Sequence, residues 1–210
     1  MASHRTGPYS RPVARRFPLP REWAFQLRME LQGVDPAVWR RLLVPGGVRL
    51  SALSAVLLAT MGWTDSHLHA FQIGERRYTS RDDDEVDFDT DDEVDEIDVT
   101  VAEVLGPLDG PPGQSAFLYQ YDFGDDWEHE VVIERSFTTA VGLKFAVCLD
   151  GANACPPEDV GGAYHYREFM AAVGDPTHPD HQPLLDWIGG SFDPTAFDLA
   201  TTNAVLQRLK

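Results

Sequence analysis

The stretch YQYDFGDDWEHEVVIE, residues 119–134, limits the possible folds more than any other part of this chain. Two runs of alternating apolar and polar residues flank Gly124, Asp125 and Asp126, which have the composition of a hairpin turn. Successive strand side chains point to opposite faces, so the two runs can pair only if their apolar sets share one face. A three-residue loop over 124–126 meets that condition. It sets Phe123 opposite Trp127, Tyr121 opposite His129, Tyr119 opposite Val131 and Phe117 opposite Ile133. A two-residue loop would place the apolar side of one strand against the acidic side of the other. The favoured register also sets Asp122 opposite Glu128 and Gln120 opposite Glu130. Facing carboxylates repel unless solvent, an arginine, a shared proton or a cation offsets them. The stretch therefore predicts an antiparallel pair with aromatics toward a core, carboxylates on the second face and His129 at the boundary.

The rest of the chain supplies partners for that hairpin. WAFQLRMEL alternates Phe25, Leu27, Met29 and Leu31 against Ala24, Gln26, Arg28 and Glu30, and AVWRRLLVP follows it after the turn GVDP. In RLSALSAVLLATMGW, Leu50, Leu53, Val56, Leu57, Thr60 and Met61 recur at helical spacing, with Ser51 as N-cap and Gly62 as stop. SHLHAFQIG returns to period two, which completes a β-β-α-β unit. Thr100 and Glu103 form a capping box for one short helix. Strands at 115–123, 127–136 and 143–149 are expected to form a three-strand meander. YREFMAAVG, HQPLLDWIG and DLATTNAVLQRLK read as C-terminal helices, the last capped by Asp198. The expected fold class is α+β, a mainly antiparallel sheet with helices packed on it.

Length and charge set the organisation. A chain of 210 residues supplies one domain with a substantial core and is short for two. Residues 1–21 are rich in Arg and Pro without periodicity and read as a disordered arm, leaving 22–210 as a single domain. The net charge of −17 is a local feature, because twelve carboxylates lie between Asp82 and Asp98 and the remainder carries only −5. The segment 81–98 reads as an acidic loop. A mildly acidic body disfavours nucleic acid, so any phosphate contact is expected through the arm, where residues 1–28 hold six arginines against Glu22. No apolar run is long enough for a membrane span, and the arginine-rich start lacks a signal peptide's apolar stretch, so no membrane partner and a cytoplasmic location are expected.

Several residues have the chemistry of a site. In HLHAF, His67 and His69 lie two apart and share a strand face, the spacing that lets two imidazoles reach one metal, with His129 or a carboxylate completing the set. A divalent metal is the corresponding cofactor expectation, with surface or core histidines as the plain alternative. Cys148 and Cys155 are spaced C-x6-C, unlike a zinc ribbon, and read as free thiols or ligands. Glu158 and Asp159 follow two prolines and precede Gly161 and Gly162, which permit a sharp turn into a helix that the acids could cap. The acidic run has calcium-loop-like offsets, yet the position that needs glycine is Asp92. No P-loop, dinucleotide glycine pattern, nucleophile elbow or HExxH helix occurs.

Taken together, PAVWRRLLVP, MGWTDSHLHAFQIG, YQYDFGDDWEHEVVIE, CLDGANACPPEDVGG and WIGGSFDPTAFDLATTNAVL resemble the plasmid pRiA4b ORF-3-like family, also known as TnpR-type insertion-element passengers, over about residues 23–207. The resemblance implies a bacterial, cytoplasmic α+β domain carried at times on plasmids or transposable elements. It implies a fold and a genetic context rather than a reaction. Two positions depart from the family pattern: Val160 stands where relatives often have cysteine, and Ser54 where they often have histidine. Both weaken a metal model that uses those positions.

Three functions follow as expectations. The first is a non-catalytic binding or accessory module whose pocket, drawn from His67, His69, Tyr121, Asp122, Asp125, Trp127, His129, Glu158 and Asp159, receives a protein segment or a small polar ligand. The second is a metal-dependent hydrolase or nuclease with His67, His69 and His129 as ligands and Asp122 or Glu158 as general base. The third is a DNA-associated accessory protein acting through the basic arm.

Overall fold

Period-two alternation becomes one large sheet. The computed structural model describes residues 23–80, 93–106, 115–138 and 143–209. The arm at 1–21 and the acidic positions Asp87, Asp89 and Asp91 lie outside the described residues. In chain order the elements are β1 (Trp23–Leu31), β2 (Trp39–Pro45), α1 (Leu50–Met61), β3 (His69–Ile73), β4 (Arg76–Thr79) and β5 (Glu93–Asp95). They continue with α2 (Val101–Leu105), β6 (Ala116–Tyr121), β7 (Trp127–Thr138), β8 (Val147–Ala152), α3 (Gly162–Gly174), α4 (His181–Trp187) and α5 (Leu199–Leu206). The eight strands run β5-β4-β3-β6-β7-β1-β2-β8, all neighbours antiparallel except β4 and β5. The α+β class read from the sequence is the class of the fold.

In the sheet, three details differ from the sequence reading. The strand expected to close a meander, β8, pairs with β2 at the far edge, because β7 is already matched along its length by β1 from Trp23↔Thr138 to Leu31↔His129. The acidic segment is not loop throughout: Glu93–Asp95 forms β5, and Glu96 is buried beside it. The hairpin keeps its faces but shifts its register. Tyr121 pairs with Trp127, Tyr119 with His129 and Phe117 with Val131, so the turn spans five residues, 122–126. Asp122 thus leaves the ladder, and its expected pairing with Glu128 does not form; Gln120 faces Glu128 instead.

The core lies on the apolar face of this sheet under α1. Leu50, Leu53, Leu57 and Leu58 of α1 are fully buried with Phe25, Leu27, Leu42, Phe71 and Val131. Ser54, also buried, shares a hydrogen bond of 2.7 Å with the Tyr119 hydroxyl, so the polar atom left by the departure at this position is satisfied. The helix begins directly after Arg49 without a side-chain cap, rather than at a Ser51 cap, and it stops at Gly62, whose φ of 95° is open to glycine at little cost. The Thr100–Glu103 capping box and the Asp198 N-cap form as the local sequence predicts. On the opposite sheet face Glu134 is held by Arg41, at 2.7 and 2.8 Å, and by Gln26, which keeps its carboxyl below the usual range. Among the described residues no helix is long and apolar enough to cross a membrane.

Arg40 ties the layers together. Its buried guanidinium donates to the carbonyls of Thr60 at the end of α1, Trp39 of β2, Ala152 of β8 and Asn153 beyond it, at 2.8 to 3.0 Å. The ring of Phe197 covers it at 4.4 Å. These contacts fix the chain just before the CPPED segment, where Trp63 donates to the Pro156 carbonyl at 3.0 Å.

Candidate functional site

Three segments distant in sequence meet at one end of β3 and β6. The first, 63–69, leaves α1 after Gly62. The second is the hairpin turn 122–126 with Tyr121. The third, 156–162, leads into α3. Hydrogen bonds join them: the Asp122 N–H donates to the Leu68 carbonyl at 2.9 Å, and the Gly161 N–H donates to the Asp125 side-chain Oδ2 at 2.9 Å.

Glu158 is the hub of the polar contacts. Its Oε1 accepts the Tyr121 hydroxyl at 2.6 Å, and its Oε2 accepts the Thr64 hydroxyl at 2.7 Å and the Thr64 N–H at 3.1 Å. The Tyr121 oxygen in turn accepts the Ser66 N–H at 3.1 Å. Burial, followed by the Glu158 carboxylate, holds the Tyr121 phenol protonated well above its ordinary range. Glu158 is therefore engaged in joining segments rather than capping a helix from solvent.

Next to this hub His67 Nε2 lies 3.0 Å from Asp159 Oδ1 and 3.6 Å from Asp122 Oδ2. Asp122 Oδ1 accepts the backbone N–H groups of Gly124 and Asp125, at 3.0 and 3.3 Å, which leaves Oδ2 facing His67. The backbone here is unusual. Asp65, Asp122, Asp126 and Asp159 all adopt φ between 53° and 60°, and the fifth described non-glycine residue with positive φ is Asn153. Aspartate is among the residues that enter this region most readily, yet four such positions at one place require the surrounding fold to hold them. Gly162 is also dictated by contact, since a Cβ there would sit 2.4 Å from the Asp125 carbonyl oxygen.

The three histidines expected to share a metal do not converge. β3 begins at His69, so His67 lies in the preceding loop and the strand parity between the two is lost. His69 Nε2 instead meets both oxygens of buried Glu96, at 3.0 and 3.1 Å. His129 is wholly buried, with Nδ1 donating to the Tyr119 carbonyl at 3.1 Å, and burial pushes its pKa down to about 4. A carbonyl can only accept, so Nε2 is the bare nitrogen, and it has no partner among the described residues. Ring contacts run from His67 to Tyr121 at 5.8 Å, Tyr121 to Trp63 at 5.2 Å and Trp63 to His129 at 5.5 Å. Trp127 is a buried floor residue against Trp63 rather than a lining group. Asp125 serves the turn through Gly161.

Among the described residues, His67, Asp122 and Asp159 form the group whose donor atoms lie close enough to share an ion, all within 4.8 Å of one another. Asp159 also borders a groove of about 670 Å³ between the CPPED segment, α3 and α4, lined by Val160, His165, Glu168, Phe169 and Trp187 among others. Cys155 stays out of this chemistry. It packs against the core, and burial raises its thiol well above the ordinary range, while Cys148 is buried and raised for the same reason.

Of the residues named from the sequence, the structure brings together Tyr121, Asp122, Glu158, Asp159 and His67; Trp63, Thr64, Ser66, Glu96 and Arg40, which also make these contacts or support them, are not among those named. The usable signal was position: Trp63, Thr64 and Ser66 follow the helix-stopping Gly62 directly and so start the loop that faces the hairpin turn.

The model of the family described as "Plasmid pRiA4b ORF-3-like protein" matches residues 23–201. The uncharacterized protein y4hQ of Sinorhizobium fredii (strain NGR234) is 39% identical over 185 residues, covering 88% of this chain and 91% of that protein. A crystal structure of the protein of unknown function MM3350 from Methanosarcina mazei Go1 superposes with a TM-score of 0.74 at 28% identity, covering 87% of this chain and 98% of that one.

Proposed function

Because the chain belongs to the plasmid pRiA4b ORF-3-like family, whose matched residues 23–201 contain all three segments of the cleft, we propose that it is a cytoplasmic binding or accessory module working through that cleft. The observation that carries this reading is the convergence of 63–69, 121–126 and 156–162 around Glu158, with four aspartates held in the left-handed region. A solvated loop cluster with no task has no need of such a constrained backbone.

The charge of the surroundings selects the ligand class. Asp122, Asp159, Glu168 and Asp180 surround the cleft and its groove, with His67, His165 and His178 as the imidazoles. The groove volume of about 670 Å³ is that of a small-molecule or peptide site, and Phe169 and Trp187 give it an aromatic wall. The ligand expected is a small polar molecule or protein segment carrying positive charge, its apolar part against Trp187 and its cationic group toward Glu168 and Asp180.

The test is a thermal-unfolding screen of amines, basic peptides and cations against wild type and Trp187→Ala. A ligand that raises the wild-type midpoint, and raises it less in Trp187→Ala, supports the reading. A broad screen in which nothing moves the midpoint overturns it.

A further inference from the structure

We propose that His67 Nε2, Asp122 Oδ2 and Asp159 Oδ1 are the protein ligands of one divalent transition-metal ion, Mn²⁺ or Zn²⁺, at the mouth of the groove. The proposal rests on this cleft being the working site, and it replaces the three-histidine set that the sequence suggested.

Geometry supports the donor set. Donors about 2.1 Å from one ion lie roughly 3 to 3.5 Å apart when they are adjacent in tetrahedral or octahedral coordination. The imidazole nitrogen stands 3.0 and 3.6 Å from the two carboxylate oxygens, close to those separations, and all three donors lie within 4.8 Å of one another.

Asp122 supplies a second, independent observation. The residue is nine-tenths buried, and its side chain is 13% exposed. Oδ1 is saturated by two backbone N–H groups, whereas Oδ2 has no hydrogen-bond donor within reach among the described residues and meets only His67 at 3.6 Å. A carboxylate oxygen that accepts no hydrogen bond among the described residues and faces an imidazole has its lone pairs open to a cation. The turn that aims it is locked at both ends, by the Asp122 N–H on Leu68 and by the Asp126 N–H on the Asp122 carbonyl at 2.7 Å.

The same chemistry narrows the ion. One imidazole and two carboxylates suit Mn²⁺ or Zn²⁺; three donors are too few for Ca²⁺, and no thiolate is present to favour Cu⁺. The Asp159 side chain is 69% exposed and borders the groove, so water can reach the ion and fill its remaining coordination positions.

The full-length untagged chain, stripped with chelator, is titrated with Mn²⁺ and followed by continuous-wave and pulsed electron paramagnetic resonance. The expected result is one equivalent bound more tightly than any diffuse sites, displaced by Zn²⁺, with the nitrogen modulation of a coordinated imidazole. His67→Gln should abolish that modulation, and Asp159→Asn, whose amide tolerates the same backbone, should weaken binding at least about tenfold. Binding that is weak and spread over many equivalents, or tight binding unchanged in both variants, overturns the site. Repeating the cationic-ligand screen with chelator present separates the two readings. A ligand bound by protein that binds no Mn²⁺ overturns the metal site and keeps the module. Mn²⁺ bound in the absence of any ligand response overturns the module and keeps the site.

Discussion

Tyr121 donates to Glu158 across 2.6 Å and joins the end of β6 to the segment entering α3. The two residues are 37 positions apart, and the bond is completed by Ser66 and Thr64 from a third segment. The candidate site therefore depends on one phenol that is buried by Trp63 and polar only at its tip.

Replacing Tyr121 with Phe keeps the stacking on Trp63 and removes both hydrogen bonds. Loss of a bond to a charged carboxylate and of one from a backbone N–H should cost about 2 to 3 kcal/mol, read from urea unfolding. Ligand response in the cleft should fall in the same variant, because Glu158 and the 63–69 loop lose their link.

Arg40 should be among the least replaceable residues. Arg40→Met retains much of the aliphatic packing but leaves the carbonyls of Thr60, Trp39, Ala152 and Asn153 without their donor. A loss on the order of 3 kcal/mol or more is expected. An unfolding midpoint close to wild type would refute the role assigned to it.

Gly162→Ala places a methyl group 2.4 Å from the Asp125 carbonyl oxygen at a residue with φ of 75°. Strain and displacement together should destabilise the chain by roughly 1 to 3 kcal/mol. Gly47→Ala meets nothing within 4 Å and should change stability by less than about 0.5 kcal/mol. Parallel thermal unfolding of the two variants checks the contrast.

His129 gives stability a pH dependence of known sign. Its folded pKa is about 4, below the ordinary 6.5, so the unfolded chain binds a proton that the folded chain refuses between those values. The contribution is present in full above about pH 6.5, is lost progressively as pH falls, and levels off below about pH 4, a total on the order of 3 kcal/mol. His129→Phe should flatten this part of the stability curve, and an unchanged slope would count against the assignment.

Local chemistry was legible in the sequence. Strand alternation, the Thr100–Glu103 box, the Asp198 cap and the stop at Gly62 each depend on residues a few positions apart, and each forms as read. The same parity placed Trp127, His129 and Val131 on the buried face of β7. Those residues also determined the fold class, because alternating strands followed by amphipathic helices have few ways to bury their apolar sides.

The site was decided by contacts between distant segments. Asp122 reads as a strand residue, yet its N–H donates to the Leu68 carbonyl and its backbone enters the left-handed region, while the register shifts by two residues and Oδ2 faces His67. His67 and His69 read as one face of a strand, but the strand starts at His69, and Glu96 and Asp159 take the two imidazoles in different directions. Arg40 reads as an ordinary alternating strand residue until four carbonyls from three parts of the chain close around it. Spacing in sequence fixes which side chains share a face of one element. The partner each side chain meets is set by how the ends of separate elements are brought together, and that is a property of the tertiary structure.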